Sequence, residues 1–532
     1  MSTAVVDAGV LSARGRRAPV RLLGLATLTV VPLLFPFGYL LWQALAGGWQ
    51  GVLPAGRLAE LALNTLLLTG LVVIGAVVIG FGTAWLTTRT DLGGARMWST
   101  VVALPLVIPS YVLALVLLTG TGRQGILSGM VVALGGDPLP IPRGLLGAVL
   151  ALVVSTFPYV HLSLVPALRR VDPALDEIAR ALGAGRLKRL RTVLLAQVGP
   201  ALRSSALLVG LYSLADFGAV SLLGYDTFTR AIFLQYAGRI DRRPATLLAA
   251  VLVLIALAVI GLERSTRPPR SERKGRVVRP GSLHRLSNGR RFAAVTFLTL
   301  LVATSVGVPV AVLAAWWVRG TAAGRETVAV WSEVGRSISV SIGAALAVAA
   351  IAIPIAVLVT RYRSRLGAVL EASAWTVSAL PHLTVGLALL LVGVTLLLPL
   401  YQTLPLLFVA YVTMFLPQAL GPTEAALREV SPNLEEVSRS LGQSPLQTFR
   451  RITMPLIGKG VLTGAGLVFL TTMKELPATL LLRPTEFETL AVRIWSTTSE
   501  GFYTRAAFAS LVLIMISAVP MHFLVSRDLR HA

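Results

Sequence analysis

The chain has 532 residues, of which 48 are Lys or Arg, 24 are Asp or Glu and none is Cys. It is 55% hydrophobic and only 14% charged, with a mean hydropathy of +0.77, whereas soluble domains carry about 25% charged residues, so the composition indicates a membrane protein. The absence of Cys excludes disulfides and thiolate sites, and the basic residues lie in short loops between apolar runs, which is typical of membrane topology and lipid contact rather than nucleic-acid binding.

Twelve apolar runs are long enough to cross a membrane, which takes roughly 20 predominantly apolar residues. The predicted spans are 20–45, 61–86, 99–120, 144–166, 200–223, 245–263, 292–318, 337–360, 371–398, 402–421, 458–482 and 507–526. The first run follows a basic N-terminal segment but has no convincing cleavage site, so it predicts a transmembrane helix rather than a signal peptide. The basic, Pro- and Ser-rich segment 264–291 predicts a mobile linker.

The Arg-rich segments predict the orientation. They are the N-terminus, the loops at 89–96, 169–191, 361–365 and 428–459, the central linker and the C-terminal tail. With twelve spans all of them fall on one face, which the positive-inside rule makes cytoplasmic. One longer loop, with Arg230, Arg239, Arg242 and Arg243, lies on the opposite face. The sequence predicts a multi-pass membrane protein with both termini in the cytoplasm.

The two halves of the chain repeat one another. Arg89 corresponds to Arg361, and Asp216 corresponds to Glu475. Because each half has six spans, both copies enter the membrane the same way round, which predicts a parallel repeat with the substrate path between the halves. The expected fold is an all-α membrane protein of twelve transmembrane helices in two parallel six-helix repeats. The expected domains are 1–263 and 292–532, joined by the basic linker 264–291.

The most regular part of the repeat is a short polar segment, Pro173–Gly183 in one half and Pro432–Gly442 in the other. Each begins with an N-cap candidate before Pro, Asp172 or Ser431, and each ends at a Gly suited to a left-handed turn. An apolar stripe at i, i+3 and i+7 runs along both predicted helices: Leu175, Ile178 and Leu182, and Leu434, Val437 and Leu441. One such helix alone predicts a surface helix on lipid headgroups, whereas two in the same register indicate a partner with two matching sockets.

These segments resemble a known family motif. Glu435-Glu436-Val-Ser-Arg-Ser-Leu-Gly442, followed by Met454-Pro455-Leu456, is similar to the EAA loop of bacterial ABC importer permeases, and Asp176-Glu177-Ile-Ala-Arg-Ala-Leu-Gly183 is a second example. The resemblance implies a type I importer permease in the bacterial cytoplasmic (inner) membrane. The loops at 172–200 and 431–459 would then form coupling helices that seat in a separate ATPase. The first loop departs from the motif at Ala196, where the family has Pro.

The resemblance implies roles for individual residues and partners. The ATPase-coupling residues would be Asp176, Glu177, Gly183, Glu435, Glu436 and Gly442, with Glu177 and Glu436 as docking groups and the glycines as turns. The chain has no Gly-x-x-x-x-Gly-Lys-[Ser/Thr] motif, so ATP and magnesium would be bound by a cytoplasmic ABC ATPase dimer. An extracytoplasmic solute-binding protein would deliver the solute. The permease itself is expected to bind no cofactor or nucleic acid and to have no catalytic residue.

The residues in the C-terminal parts of the predicted fifth and eleventh spans bear on the solute. Met473-Lys474-Glu475-Leu476-Pro477-Ala478 and Ala215-Asp216-Phe217-Gly218-Ala219 resemble the ferric-iron importer permeases. Thiamine, polyamines, phosphonates, sulfate and molybdate, which related permeases carry, stay open as alternatives.

Four polar residues within the predicted spans are candidates for the substrate path: Asp216, Glu475, His161 and His382. Carboxylates suit hard cations, and acidic groups in a span are functional candidates. Structural pairing of the carboxylates and hydrogen bonding of the histidines are the alternatives, and no metal ligands are assigned.

A different class of transporter also has twelve spans, parallel halves and a basic central linker, namely the secondary transporters of the major facilitator type. Two repeated polar helices have no role in that class, and a channel or a structural membrane protein explains them least well.

Overall fold

The computed structural model describes residues 19–47, 54–238, 241–265, 283–324, 329–362 and 365–531, and within them the chain is almost entirely helical. The helices of the first sequence half are α1 (Val20–Ala46), α2 (Ala55–Arg89), α3 (Ala95–Val102), α4 (Ser110–Gly120), α5 (Ile126–Ala133), α6 (Gly144–Arg169), α7 (Pro173–Ala181), α8 (Arg186–Arg189), α9 (Leu195–Ala215), α10 (Gly218–Leu222), α11 (Phe228–Gly238) and α12 (Arg243–Ser265). Those of the second half are α13 (Asn288–Val302), α14 (Val308–Ala322), α15 (Trp331–Val357), α16 (Arg365–Ser378), α17 (His382–Thr395), α18 (Leu404–Glu429), α19 (Pro432–Ser440), α20 (Pro445–Thr448), α21 (Met454–Met473), α22 (Pro477–Leu482), α23 (Leu490–Ser499) and α24 (Tyr503–His531).

The described residues contain ten helical stretches that are long and apolar enough to cross a membrane, or up to twelve if each of two bent pairs counts as one span. The all-α membrane fold is therefore confirmed. The predicted spans 99–120 and 371–398 are wrong as continuous helices, because Ala95–Val107 meets α4 at 83° and α16 meets α17 at 104°.

Both bends fall at a proline, Pro109 and Pro381. Proline has no backbone N–H to donate, and its ring disfavours the helical conformation in the residue before it. Ile108, before Pro109, is accordingly extended, with φ −92° and ψ 115°. The helix therefore ends before each proline, and a new helix starts directly after it.

The fifth and eleventh spans end earlier in the chain than predicted. α9 ends at Ala215, and α10 is a separate five-residue helix beginning at Gly218. In the same way α21 ends at Met473 and α22 follows from Pro477. Spans predicted at 200–223 and 458–482 are therefore each interrupted, and the interruptions fall at Asp216 and Glu475.

The described residues fall into two compact units, one within Met1–Gly48 and Trp331–Ala491 and the other within Trp49–Val330 and Val492–Ala532. In the first unit α1 packs against α15, α16 and α17. In the second unit α13 and α14 pack against α3 and α4, and α14 also packs along α24. The predicted domains 1–263 and 292–532 follow the sequence repeat, whereas in the folded chain the first helix of each half packs with the core of the other half.

α18 and α21 approach each other closely because α21 presents glycine at the contact. A Cβ on Gly464 would lie 2.7 Å from the Cα of Ala419, and one on Gly460 would lie 2.6 Å from the carbonyl oxygen of Pro422. Small residues at four-residue spacing are the usual means by which helices in lipid pack backbone to backbone.

Part of the predicted mobile linker is structured. The His284 N–H donates to the Arg89 carbonyl at 2.8 Å, the Asp91 N–H donates to the His284 carbonyl at 3.2 Å, and the His284 ring stacks on Trp85. The Asp91 carboxylate accepts from the Leu286 N–H at 2.8 Å and from Arg291 at 2.9 Å. The Leu286 hydrogen bond, helped by Arg291, holds the pKa of Asp91 below its ordinary value. The linker residues 266–282 lie outside the described part of the chain.

Candidate functional site

The first repeated loop forms the short helix α7. The Asp172 side chain accepts a hydrogen bond from the Ala174 N–H at 3.0 Å and so caps the first turn, where backbone donors lack partners. The helix ends before Gly183, which has φ +75°, a left-handed conformation that costs glycine little. The predicted cap and glycine turn are both present.

The second loop forms α19 with the same length and the same ending, since Gly442 has φ +82°. Its start differs from the prediction, because the Ser431 side chain makes no capping hydrogen bond. Pro432 offers no N–H, and the Leu434 N–H is satisfied by the Ser431 carbonyl instead. A serine cap occurs one helix later: Ser444 and Gln447 form a reciprocal capping box at the start of α20.

The apolar stripes of both helices face outward. Ile178 and Leu182 on α7 are 55% and 82% exposed, and Val437 and Leu441 on α19 are 57% and 78% exposed. Each stripe belongs to a loop that also carries many of the basic residues. An apolar stripe with a polar rim on a charged surface marks a binding surface more often than a free one. The Glu177 side chain on α7 is exposed, and Glu436 on α19 is half-buried.

Glu435 points into the protein. Its Oε1 atom lies 3.0 Å from both Nε and Nη2 of Arg361, and it also accepts a hydrogen bond from the Thr453 hydroxyl at 3.2 Å. Arg361 completes the junction by donating to the Val430 carbonyl at 3.0 Å. Glu435 therefore connects α19 to the spans rather than offering a carboxylate to the surface.

Asp176, the equivalent residue of α7, makes a different contact. Its carboxylate lies 3.0 Å from Nη1 of Arg189, and its side chain is 52% exposed. Arg189 belongs to α8, the next turn of the same loop. The first of the two repeated loops is thus paired within itself.

Asp216 lies where α9 gives way to α10 and is 8% exposed. Its Oδ1 accepts from the N–H groups of Ala219 at 3.1 Å and Val220 at 3.3 Å, and its Oδ2 accepts from the Ser110 hydroxyl. The carboxylate caps α10 and ties it to the first residue of α4.

Glu475 takes the same place before α22 and is 4% exposed. Oε1 accepts from the Ala478 N–H at 2.9 Å, while Oε2 accepts from the Thr479 N–H at 2.9 Å and from the Thr479 hydroxyl. His382, the first residue of α17, has its Nδ1 3.9 Å from Oε1. His382 corresponds to Ser110 in the repeat, so each unit brings the residue after its helix-breaking proline to its buried carboxylate.

His161 is fully buried in α6 and does not join either carboxylate. Its Nε2 lies 3.0 Å from the Ser99 hydroxyl, and its Nδ1 lies 3.0 Å from the Thr83 hydroxyl. The ring thus bridges α3 and α2. Among the described residues there is no group of three His, Asp or Glu side chains that could hold a metal ion.

Several partners of these residues carry no local sequence signal. Arg361 is 74 residues from Glu435, and Ser110 is 106 residues from Asp216. The repeat itself contains the only available signal, because Arg361 and Arg89 stand at equivalent positions at the ends of the second and eighth predicted spans.

Known proteins are similar to this chain in both of its halves. The family model for the binding-protein-dependent transport system inner membrane component matches twice, at residues 76–262 and 349–527. The Fe(3+)-transport system permease protein FbpB 2 of Haemophilus influenzae is 33% identical over 519 residues, which cover 96% of this chain and 98% of that protein. The ferric transport system permease protein FbpB of Actinobacillus pleuropneumoniae is 24% identical over 89% of this chain and 72% of its own length. The molybdenum transport system permease protein ModB of Escherichia coli is 32% identical over 32% of this chain and 69% of its own length.

Proposed function

Because this chain belongs to the family of inner membrane components of binding-protein-dependent transport systems, we propose that α7 and α19 are the two sites at which an ABC ATPase dimer binds it. The observation that carries the proposal is the outward-facing apolar stripe on both helices. Burying Ile178 and Leu182, or Val437 and Leu441, in a socket removes apolar surface from water at roughly 25 cal/mol per Å². The chain contains no P-loop of its own, so the ATPase is a separate subunit.

The ends of the spans that carry α7 and α19 are the cytoplasmic ends in this proposal. The basic segments at 169–191 and 428–459 include the two helices, and those at 89–96 and 361–365 follow the second and eighth predicted spans. Lys and Arg are enriched in cytoplasmic loops. The opposite ends of the spans then receive the solute-binding protein. Both chain termini lie in the cytoplasm in this orientation.

The transported solute in this proposal is ferric iron. The support is the 33% identity over almost the full length of a chain named as an Fe(3+)-transport permease, together with the Glu475 and Asp216 segments. The similarity to the molybdenum permease covers only 32% of this chain.

Asp216 and Glu475 shape the solute path indirectly in this proposal. The oxygens of both carboxylates accept hydrogen bonds from the short helices that follow them, and such a carboxylate has little capacity left for a cation. We therefore expect both residues to hold the breaks at α10 and α22. His382 lies beside Glu475 at the second of these breaks, whereas the buried His161 bridges α3 and α2 and has a structural role there.

The test of ATPase binding is Glu436→Lys, which places a positive charge on the half-buried rim of α19. The variant is expected to insert and purify normally but to retain little ATPase in a pull-down, with a parallel fall in uptake of labelled ferric iron. Arg123→Glu, at the opposite end of the spans, is the control for the pull-down alone, because that end receives the solute-binding protein in this proposal. A pull-down and uptake equal to those of the unmodified chain would contradict the assignment, and uptake of thiamine or a polyamine in place of iron would contradict the solute.

A further inference from the structure

We propose that Arg361 and Glu435 are positioning residues that make the second coupling helix rigid with the spans of its own unit, whereas the first coupling helix is held mainly by its own loop. The inference rests on the proposed function, because the load on α19 comes from the ATPase. It gives the two loops different tasks. α19 transmits the movement of the ATPase to the spans, and α7 mainly holds the ATPase in place.

The Arg361–Glu435 junction joins four elements at one point. Arg361 is in the π-helical turn Leu358–Tyr362 that ends the span begun by α15. Its guanidinium bonds both Glu435 on α19 and the carbonyl of Val430, the C-cap residue of α18. Thr453, which also bonds Glu435, is in the π-helical turn that leads into α21. A displacement of α19 therefore acts on α15, α18 and α21 together.

The junction is shielded from solvent. The Arg361 and Glu435 side chains are 13% and 10% exposed, and next to them the hydroxyls of Ser438 and Thr448 bond each other at 3.0 Å in a buried position. Charges in such a place are screened little by salt. Removing Arg361 leaves Glu435 with only the more distant and more exposed Arg439, whose Nη2 lies 3.9 Å from Oε2, and removing Glu435 leaves the Arg361 guanidinium buried without its carboxylate, so the contact is disrupted at considerable cost.

Three differences in sequence explain why the first loop lacks this junction. Asp176, in place of Glu435, is shorter by one methylene group, and Leu194, in place of Thr453, has no hydroxyl. Arg189, in place of Thr448, bonds the Asp176 carboxylate at 3.0 Å. Arg89, the equivalent of Arg361, forms no ion pair among the described residues, and the Asp176 charge acts on it only as a longer-range attraction.

The Asp176–Arg189 ion pair is weaker than the Arg361–Glu435 ion pair. The Asp176 side chain is 52% exposed, and exposed ion pairs are largely offset by solvation and by the ordering of two flexible side chains. The Asp176–Arg189 pair also begins and ends in one loop, so it transmits little to α2 or α6. The first loop also contacts a span where the Asp172 N–H, at the start of α7, donates to the Gln197 side chain of α9 at 3.0 Å. α7 therefore has one neutral hydrogen bond to its spans, whereas α19 has a buried ion pair to them.

The first experiment compares Arg361→Gln with Arg89→Gln in proteoliposomes that contain the permease, its ATPase and its binding protein. ATP hydrolysis and uptake of labelled ferric iron are measured together. For Arg361→Gln we expect the ATPase to co-purify as with the unmodified chain, while the ATP hydrolysed per ion taken up rises about tenfold, in the range of ordinary coupling between sites. Arg89→Gln is expected to change this ratio less than about twofold. Combining Arg361→Glu with Glu435→Arg should restore much of the coupling.

Two results would overturn the inference: the same change of ratio in both arginine variants, or an unchanged ratio in Arg361→Gln. Loss of ATPase co-purification from the unmodified chain would instead contradict the proposed function, and the two failures are thus distinguishable.

The second experiment needs neither solute nor ATPase. Amide hydrogen exchange in the purified permease is expected to be at least about tenfold slower in α19 than in α7, and Arg361→Gln should remove the difference. The combination Asp176→Glu, Arg189→Thr and Leu194→Thr builds the junction into the first loop and should slow exchange in α7. Equal exchange of α7 and α19 in the unmodified chain would refute the proposed difference.

Discussion

The two repeated loops that carry α7 and α19 have the same length, the same exposed apolar stripe and the same glycine turn, but they are attached to the rest of the chain in different ways. Glu435 is buried against Arg361 and Thr453, while Asp176 is exposed beside Arg189. The surface that would meet a partner is thus alike in both repeats, and the surface that faces inward differs. The repeat has thus kept the outward-facing residues of the helix in both copies, while the buried ion pair is present only in the second copy.

The buried carboxylates of Asp216 and Glu475 also differ between the two repeats, though less than the loops do. Glu475 uses both oxygens on the N–H groups of α22 and adds the Thr479 hydroxyl. Asp216 reaches the N–H groups of α10 with one oxygen only and uses the other on Ser110. The second repeat again has the tighter set of contacts.

The largest effect is expected from removing these carboxylates. Glu475→Ala leaves the N–H groups of Ala478 and Thr479 and the Thr479 hydroxyl without this acceptor, and each such buried group costs about 1–3 kcal/mol, so the loss should be on the order of 3 kcal/mol or more. Asp216→Ala should cost less, because its amide hydrogen bonds are longer, at 3.1 and 3.3 Å. Thermal unfolding in detergent, with Glu475→Gln as the conservative control, measures both. A larger loss in Asp216→Ala would reverse the comparison.

A somewhat smaller effect is expected at the contact of α18 with α21. A Cβ on Gly464 would lie 2.7 Å from the Cα of Ala419, so Gly464→Ser must separate the two helices and should cost about 1–3 kcal/mol. The first repeat has a buried serine, Ser205, at the equivalent position. Ser205→Ala is therefore the matched control and should change the unfolding temperature little. An unaltered unfolding temperature in Gly464→Ser would show that the close approach is not required.

The glycine turns should respond alike in both repeats. Gly183 and Gly442 have φ of +75° and +82°, and a Cβ at either position would meet no other atom within 4 Å. Only backbone strain therefore distinguishes alanine from glycine there, at about 1 kcal/mol. Gly183→Ala and Gly442→Ala are expected to lower ATPase retention in a pull-down by similar small factors, while Gly185→Ala, at an ordinary φ, should not. Unequal effects at the two turns would extend the difference between the loops to their outer surfaces.

The smallest effect concerns Asp91, whose pKa is held below its ordinary value chiefly by the Leu286 N–H. A carboxylate with a lowered folded pKa stabilises the fold above its unfolded value, near 3.9, and loses that contribution as the pH falls through the folded value. Protection of the amides at 284–286 from hydrogen exchange, relative to their intrinsic rates, should accordingly fall only below about pH 4. In Asp91→Asn this protection should already be low at neutral pH. A wild-type profile that changes near pH 6 would point to another titrating group.

The hydrophobic runs of the sequence predict most of the spans, but they do not predict where a span is broken into two helices. Pro158, Pro200 and Pro417 lie inside continuous helices, while Pro109 and Pro381 end theirs. A proline removes one hydrogen bond in either case. Whether the helix continues depends on contacts such as Ser110 with Asp216, which join residues far apart in sequence.

Some features of the candidate site could likewise be predicted from the sequence, and others could not. The outward features of the loops, namely stripe, acidic first turn and glycine, are local and could be predicted from the repeat. The inward contact of Glu435 could not be predicted, since it depends on Arg361 and on the hydroxyl of Thr453. The packing of α1 with α15–α17 likewise depends on tertiary contacts that hydrophobicity alone does not specify.

Crosslinking shows whether both loops bind an ATPase, and it is straightforward here because the chain has no native Cys. Ile178→Cys and Val437→Cys place thiols at positions that are 55% and 57% exposed, and Leu63→Cys, at 67%, is the control on α2. With a short thiol crosslinker the two loop positions are predicted to form an adduct with the ATPase subunit, and Leu63→Cys to form none. Loop thiols that react with a soluble maleimide but never crosslink to the ATPase would contradict the account.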